Sequence, residues 1–196
     1  MADLIYFSSS SLDGYINDLE GDFGWAEPSP ELHRFVNDLQ RGIGTQLLGR
    51  ASYEVMIWWE DMGGDAPDGP DLDVAPEMQA AAEEFQEIWK ASDKIVYSTT
   101  LQSTTTARTR LERSFDPDAI RRLKDESSTD LCIGGARLAA SAIAAGLVDE
   151  YQLVLNPVIV GGGTPSLPDG VRVDLELVEQ RTFDGGAVFL RYRTHR

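Results

Sequence analysis

The chain has 196 residues, 42% hydrophobic and 26% charged, with 33 acidic against 17 basic side chains and a net charge of −16. That length bounds one domain with a sizeable core, and an acidic surface of this strength repels nucleic acid and anionic membranes, so neither is an expected partner. A single cysteine, Cys132, excludes an internal disulfide and a multi-cysteine zinc site, and no apolar run approaches the ~20 residues of a membrane span.

The N-terminus enters a strand-like run directly, without the basic region and long apolar core of a signal peptide, which fits a cytoplasmic address. Residues 4–7 read as the first strand, followed by a polar run at 8–11 and a turn at Asp13 and Gly14. Residues 18–28 are loop-like. Ser29, Pro30 and Glu31 have the order of a helix start, hydroxyl cap before proline. Leu32, Phe35, Val36 and Leu39 then recur at helical spacing; His33 falls off that stripe and is expected on the surface.

Residues 45–48 are a short strand, and Gly49, Arg50, Ala51 and Ser52 turn it into a second helix with a positive charge at its start. A turn glycine beside a surface ion pair would look the same. The stretch near 60–78 is rich in Gly, Pro and Asp and has no period, so it is expected to be a flexible acidic insertion. Residues 77–90 form a helix with Phe85, Ile88 and Trp89 on its apolar side. Residues 94–97 are a strand ending in Ser98, Thr99 and Thr100, hydroxyls that bind a phosphate or cap a turn. Alternation over 104–111 predicts another strand with Arg108 and Arg110 on one face, and Asp116 and Pro117 open a helix to Lys124.

The remainder is organised around residues 130–165. Leu131, Cys132 and Ile133 are continuously apolar, as in a strand covered on both faces. Gly134 and Gly135 follow, then an Ala- and Leu-rich helix from Ala136 to a stop at Gly146. A helix that begins straight after two glycines directs its free N–H groups at whatever sits above the sheet edge, an anion site suited to a pyrophosphate. Glycines needed only for packing remain the other reading at this point. Residues 151–156 and 158–160 flank Pro157, a strand with a break, and 173–183 with 187–192 form a terminal hairpin. The expected fold is α/β, a single domain over 1–196 with a central mixed, mostly parallel sheet flanked by helices and an antiparallel C-terminal hairpin.

Taken together, S-L-D-G-Y at 11–15, L-L-G-R-x-S-Y-E at 47–54, the strand end at Tyr97, Ser98 and Thr99, I-G-G-A-R at 133–137, and G-L-V-D-E followed by P-V-I-V-G-G-G-T-P resemble the dihydrofolate-reductase-like superfamily. The nearest branch is the reductase domain of riboflavin biosynthesis, the C-terminal half of RibD proteins, in stand-alone form. The resemblance implies a single dihydrofolate-reductase-like domain using NADPH as hydride donor to a small heterocyclic or ribosylamino-pyrimidine substrate. It further implies that Gly134, Gly135, Ala136 and Arg137 meet the cofactor pyrophosphate, Gly49, Arg50 and Ser52 meet phosphate from the other side, and Ser98 and Thr99 lie near the 2′-phosphate. Gly161, Gly162, Gly163 and Thr164 match a glycine turn close to the nicotinamide, although Ser166, Leu167 and Pro168 replace the apolar–aromatic pair that usually follows. Asp13 matches a residue near substrate and nicotinamide, or is an ordinary Asp-Gly turn. Glu31 lies near the acid with which dihydrofolate reductases grip the pteridine, in a register that shifts by one residue when aligned from Trp25 instead of Phe35. No zinc-deaminase motif is present. A dihydrofolate reductase proper and a non-catalytic nucleotide-binding protein are the competing readings, and a homodimer is a common state in this branch.

Overall fold

A computed structural model describes residues 1–62 and 75–195. The expected acidic insertion falls largely on 63–74 and so lies outside the described residues. Among the described residues, eight strands form one sheet: β1 (Leu4–Ser11), β2 (Ile43–Gly49), β3 (Asp93–Tyr97), β4 (Thr109–Glu112), β5 (Asp130–Gly134), β6 (Glu150–Asn156), β7 (Leu175–Thr182) and β8 (Val188–Thr194). Their spatial order is β4-β3-β2-β5-β1-β6-β8-β7. β4 through β6 in that order are parallel, and the pairings of β8 with β6 and β7 are antiparallel. The mixed, mostly parallel sheet with a C-terminal hairpin is the architecture that the alternating pattern predicts.

Five α-helices among the described residues cover the sheet: α1 (Pro30–Gln40), α2 (Arg50–Met56), α3 (Pro76–Ala91), α4 (Pro117–Glu126) and α5 (Ala136–Ala144). Their starts follow from local chemistry. Ser29 Oγ accepts from Leu32 N at 3.2 Å before Pro30, and Asp116 accepts from Asp118 N at 3.0 Å before Pro117. Strand alternation then divides the core between two faces. Leu4, Tyr6, Leu131 and Ile133 point to α4 and α5, where they meet Ile120, Ala139 and Ile143. Ile5 and Cys132 point the other way, and Leu48 and Val96 pack there against Tyr53, Phe85 and Trp89 of α2 and α3. Each fully buried Leu or Ile of this kind contributes about 1.5–3 kcal/mol.

Three expectations are corrected. The strand predicted over 104–111 is only Thr109–Glu112, because Thr106 and Thr109 join through their hydroxyls at 2.7 Å and Ala107 N donates to Glu60 at 3.1 Å, closing a turn. Arg108 sits in that turn at φ 55 and pairs with Asp93, whereas Arg110 pairs with Glu112, so they do not form one basic face. The strand broken at Pro157 simply ends at Asn156; proline offers no ladder donor, and Val158 O instead accepts from Leu12 N at 2.8 Å. His33, expected on the surface, is buried, because α3 packs across that side of α1.

The topology also sets where a ligand can enter. β2 and β5 are adjacent and parallel, yet β2 continues into α2 on one face and β5 into α5 on the other. Two neighbouring strands that send their chains to opposite faces leave a crevice at their carboxyl ends.

Candidate active site

That crevice is a cleft of about 700 Å3. Its walls are the start of α2, with Gly49, Arg50 and Ser52, and the start of α5, with Gly135, Ala136 and Arg137; Asn17 and Thr164 close a third side. Gly135 precedes α5 at φ +86, and a Cβ there would stand 2.3 Å from Ser52 Oγ. The positive φ favours glycine there, and a Cβ would oblige the Ser52 hydroxyl to turn away. No side chain caps α5, so its first N–H groups face the cleft without an intrahelical partner. Arg50 is held by Glu54 at 2.6 Å and by Thr100 Oγ1 at 2.8 Å. Arg137 is exposed and has no ion-pair partner among the described residues. It is therefore the uncommitted cation of the cleft.

The third wall is two loops fastened together. Ile16 N donates to Thr164 O, Ser166 N to Gly14 O, and Thr164 N to Asn17 Oδ1, at 2.9, 2.9 and 3.0 Å. At Gly163 a Cβ would lie 1.9 Å from the backbone oxygen of Asn17, which no side-chain rotation relieves. Asp13 completes the fastening: its carboxylate accepts from Val160 N at 3.1 Å and Gly161 N at 2.8 Å. The Ser11 hydroxyl, with those two amides, holds the Asp13 carboxyl below its ordinary value. Asp13→Ala is expected to speed hydrogen exchange at Val160 and Gly161 by at least about tenfold, with Asp13→Asn losing less; unchanged protection of both amides contradicts the clamp.

Behind the cleft the walls turn apolar. A middle cavity of about 310 Å3 shares Ile16, Ser52, Gly135 and Ala136 with it and runs over Gly134, Leu48 and Cys132. The Cys132 thiol is buried and pushed up to about 12, so it lines this space as an inert apolar group. An inner cavity of about 210 Å3 continues past Phe7, Val36, Met56 and Phe85 to Leu32, His33 and Trp59. An anion-accepting cleft opening onto an apolar chamber suits a phosphate-bearing cofactor laid beside a flat organic substrate.

Over residues 2–189 the sequence matches the family described as the RibD C-terminal domain. The chain belongs to the RibD C-terminal domain family. An uncharacterized protein, YyaP, of Bacillus subtilis (strain 168) is similar to this RibD-type chain, 29% identical over 187 residues that cover 93% of it and 89% of the relative. A putative riboflavin biosynthesis protein from Shewanella sp. PV-4 has the same fold with a TM-score of 0.74 and 20% identity, each chain covered in full. A dihydrofolate reductase from Enterococcus faecalis, complexed with NADP(H), superposes with a TM-score of 0.62 at 17% identity over 99% of this chain and 97% of that one. The fold is thus dihydrofolate-reductase-like. No helix among the described residues is long and apolar enough to cross a membrane, and no group of three His, Cys, Asp or Glu among them is placed to hold a metal.

Most of the residues singled out in the RibD-type sequence meet at this site. Gly49, Arg50, Ser52, Gly135, Ala136, Arg137 and Thr164 line the cleft, Gly134 lines the middle cavity, and Gly163 lines a side cavity with Ala136 and Arg137. Gly162 stands behind the loop, where a Cβ would press on Leu19. Ser98 caps its own turn, accepting from Thr100 N and Leu101 N at 3.2 and 3.0 Å, and Thr99 is exposed; neither lines the cleft. Asp13 clamps a loop without entering the cavities. Glu31 pairs with Arg181 of β7 at 2.7 Å and lines none of the three connected cavities. The face of α1 that reaches the inner cavity is Leu32, His33 and Val36, one residue further on.

Proposed function

We propose that this chain is an NADPH-dependent reductase of the riboflavin-biosynthesis type, transferring a hydride to a small heterocyclic or ribosylamino-pyrimidine substrate. The observation that carries this reading is the continuous passage from the cleft between the starts of α2 and α5 into an apolar chamber. The residues present fit a dinucleotide phosphate: Gly135 leaves a space that a Cβ would fill, and Arg137 stands at the cleft without an ion-pair partner among the described residues.

In this reading the first-turn amides of α5 and the guanidinium of Arg137 hold the pyrophosphate, and Arg50, braced by Glu54 and Thr100, supplies positive charge on the opposite wall. Bound there, NADPH supplies the hydride. Hydride transfer needs no protein nucleophile, and the inert Cys132 is consistent with that. The protein's part is alignment and exclusion of water, for which Ile16, Leu48, Met56 and Phe85 provide apolar walls. A dihydrofolate reductase proper would need an acid facing the inner cavity, and Glu31 is engaged by Arg181 instead; this favours the riboflavin-type reading. The test is NADPH consumption with a panel of small pyrimidine and fused-ring heterocycles. Turnover of at least one member is expected; NADPH oxidation by none of them contradicts the proposal.

A further inference from the structure

The loop that closes the third wall of the cleft is held from inside the core. Tyr6 lies in the middle of the sheet, on β1 between β5 and β6, in register with Ile133 and Tyr151. Its side chain is wholly buried, and the Tyr151 ring meets it edge-on at 6.1 Å. A ring packed in this way has no room to turn, so its hydroxyl is a fixed point of the fold. That hydroxyl donates to the backbone carbonyl of Ser166, 160 residues further along the chain. Among the described residues no other group donates to this carbonyl. Burial raises the Tyr6 pKa above the ordinary 10.0, so the hydroxyl keeps the proton it donates.

Ser166 begins the stretch where the sequence carries Ser, Leu and Pro in place of an apolar–aromatic pair. Leu167 is 44% exposed and is no core anchor, whereas Ser166 is buried. Both Ser166 backbone groups are engaged, the N–H by Gly14 O at 2.9 Å and the carbonyl by Tyr6. A hydrogen bond from the core thus holds the loop where a buried side chain would otherwise hold it. Two residues back, Thr164 lines both the cleft and the side cavity. Pro165 pairs with Tyr15, and Thr164 is bonded to Ile16 and Asn17, so the place of Ser166 sets the place of all three wall residues. Asp13 grips the same loop at its other end, at Val160 and Gly161. The starts of α2 and α5 follow directly on β2 and β5 and need neither tether.

We infer that Tyr6 is a positioning residue for the cofactor: its hydroxyl fixes Ser166, and through Ser166 the wall of Ile16, Asn17 and Thr164. This deepens the reductase reading and rests on it. Ile16 lines both the cleft and the middle cavity, so the wall stands where the cleft opens onto the apolar chamber. A dinucleotide seated on the two helix starts meets this wall with the part that extends toward the chamber. A fragment that fills only the phosphate-facing walls does not touch it, and its affinity is independent of Tyr6.

The test compares the full chain with Tyr6→Phe, which removes one oxygen and keeps the ring that packs the core. Two probes are used: NADPH, and adenosine 2′,5′-bisphosphate, which carries phosphates and no nicotinamide. Tyr6→Phe should lose at least about fivefold in NADPH affinity and stay within about twofold for the bisphosphate. Amide exchange at Ile16, Thr164 and Ser166 should quicken at least about tenfold, with Val160 and Gly161 held within about twofold. In the unaltered protein a slowly exchanging Tyr6 hydroxyl proton should show a nuclear Overhauser contact to Ser166, a signal that needs no variant to fold. Its absence, unchanged NADPH affinity, an equal loss for both probes, or exchange that rises evenly along the loop each overturns the inference. Failure of the wild type to bind NADPH refutes the reductase reading and the cofactor role with it. NADPH binding with Thr164 and Ser166 exchange unmoved by Tyr6→Phe refutes the tether alone.

Discussion

Gly135→Ala is expected to weaken NADPH binding at least about thirtyfold, ~2 kcal/mol, while leaving a folded protein. Two effects combine. The residue stands at φ +86, which an alanine occupies only under strain of about 1–3 kcal/mol. The new methyl also lies 2.3 Å from Ser52 Oγ, so Ser52 must rotate or the start of α5 must withdraw from α2. Either movement displaces the amides and hydroxyl that form the cleft floor. Ser52→Ala in the same background removes the oxygen clash and should recover a few-fold in affinity, since the added Cβ meets Ser52 Cβ at an ordinary 3.4 Å, whereas the backbone strain remains. Calorimetric titration of the single and double variants checks this, and wild-type affinity in Gly135→Ala contradicts it.

Lys124→Met is expected to do the reverse, costing about 3 kcal/mol of stability with little change in cofactor affinity. Lys124 Nζ is buried on α4, where it donates to Leu147 O at 3.0 Å and pairs with Asp149. Asp149 in turn accepts from Leu4 N at 2.7 Å, so one ammonium joins α4 to β1 and to the approach of β6. Methionine fills the space but takes the ammonium away from the Leu147 carbonyl and removes the buried ion pair with Asp149. For a chain of this length the loss corresponds to a melting temperature lower by about 6–12 °C. Thermal unfolding followed by circular dichroism measures it, with NADPH affinity expected within about twofold of wild type. A melting temperature unchanged by the substitution contradicts the assigned role.

These two sites differ in how readable they are. The cleft was legible because its chemistry is local: a glycine at a strand end, a helix start and an arginine lie within a few positions of one another at 49–52 and again at 134–137. The parallel sheet brings the two segments together, and its strands were visible as apolar runs. Ser98 shows the limit of the same logic, since a hydroxyl at a strand end serves its own turn here. The inner cavity was hidden for a different reason. Its walls come from β1, the loop before α1, α1, α2, the turn after α2, α3 and β6, and no spacing in the sequence relates them. One signal was present. His33, Asn37 and Gln40 recur at i, i+4 and i+7 beside the apolar stripe of α1, and all three are buried, so a polar row on a helix marked a second packed face rather than solvent. Lys94 and Lys124 were unreadable as buried groups, because nothing in sequence distinguishes a lysine whose ammonium meets carbonyls from one in water.

The most direct test of the cofactor site is a side-by-side titration with NADPH and NADH, followed by quenching of tryptophan fluorescence, in the wild type and in Arg137→Ala. Preferential NADPH binding that weakens at least about tenfold in Arg137→Ala is the expected result, since a charge-assisted contact to phosphate contributes about 1.5–3 kcal/mol. Binding of neither nucleotide, or binding indifferent to Arg137, would contradict a phosphate site at the start of α5 and return its glycines to packing alone.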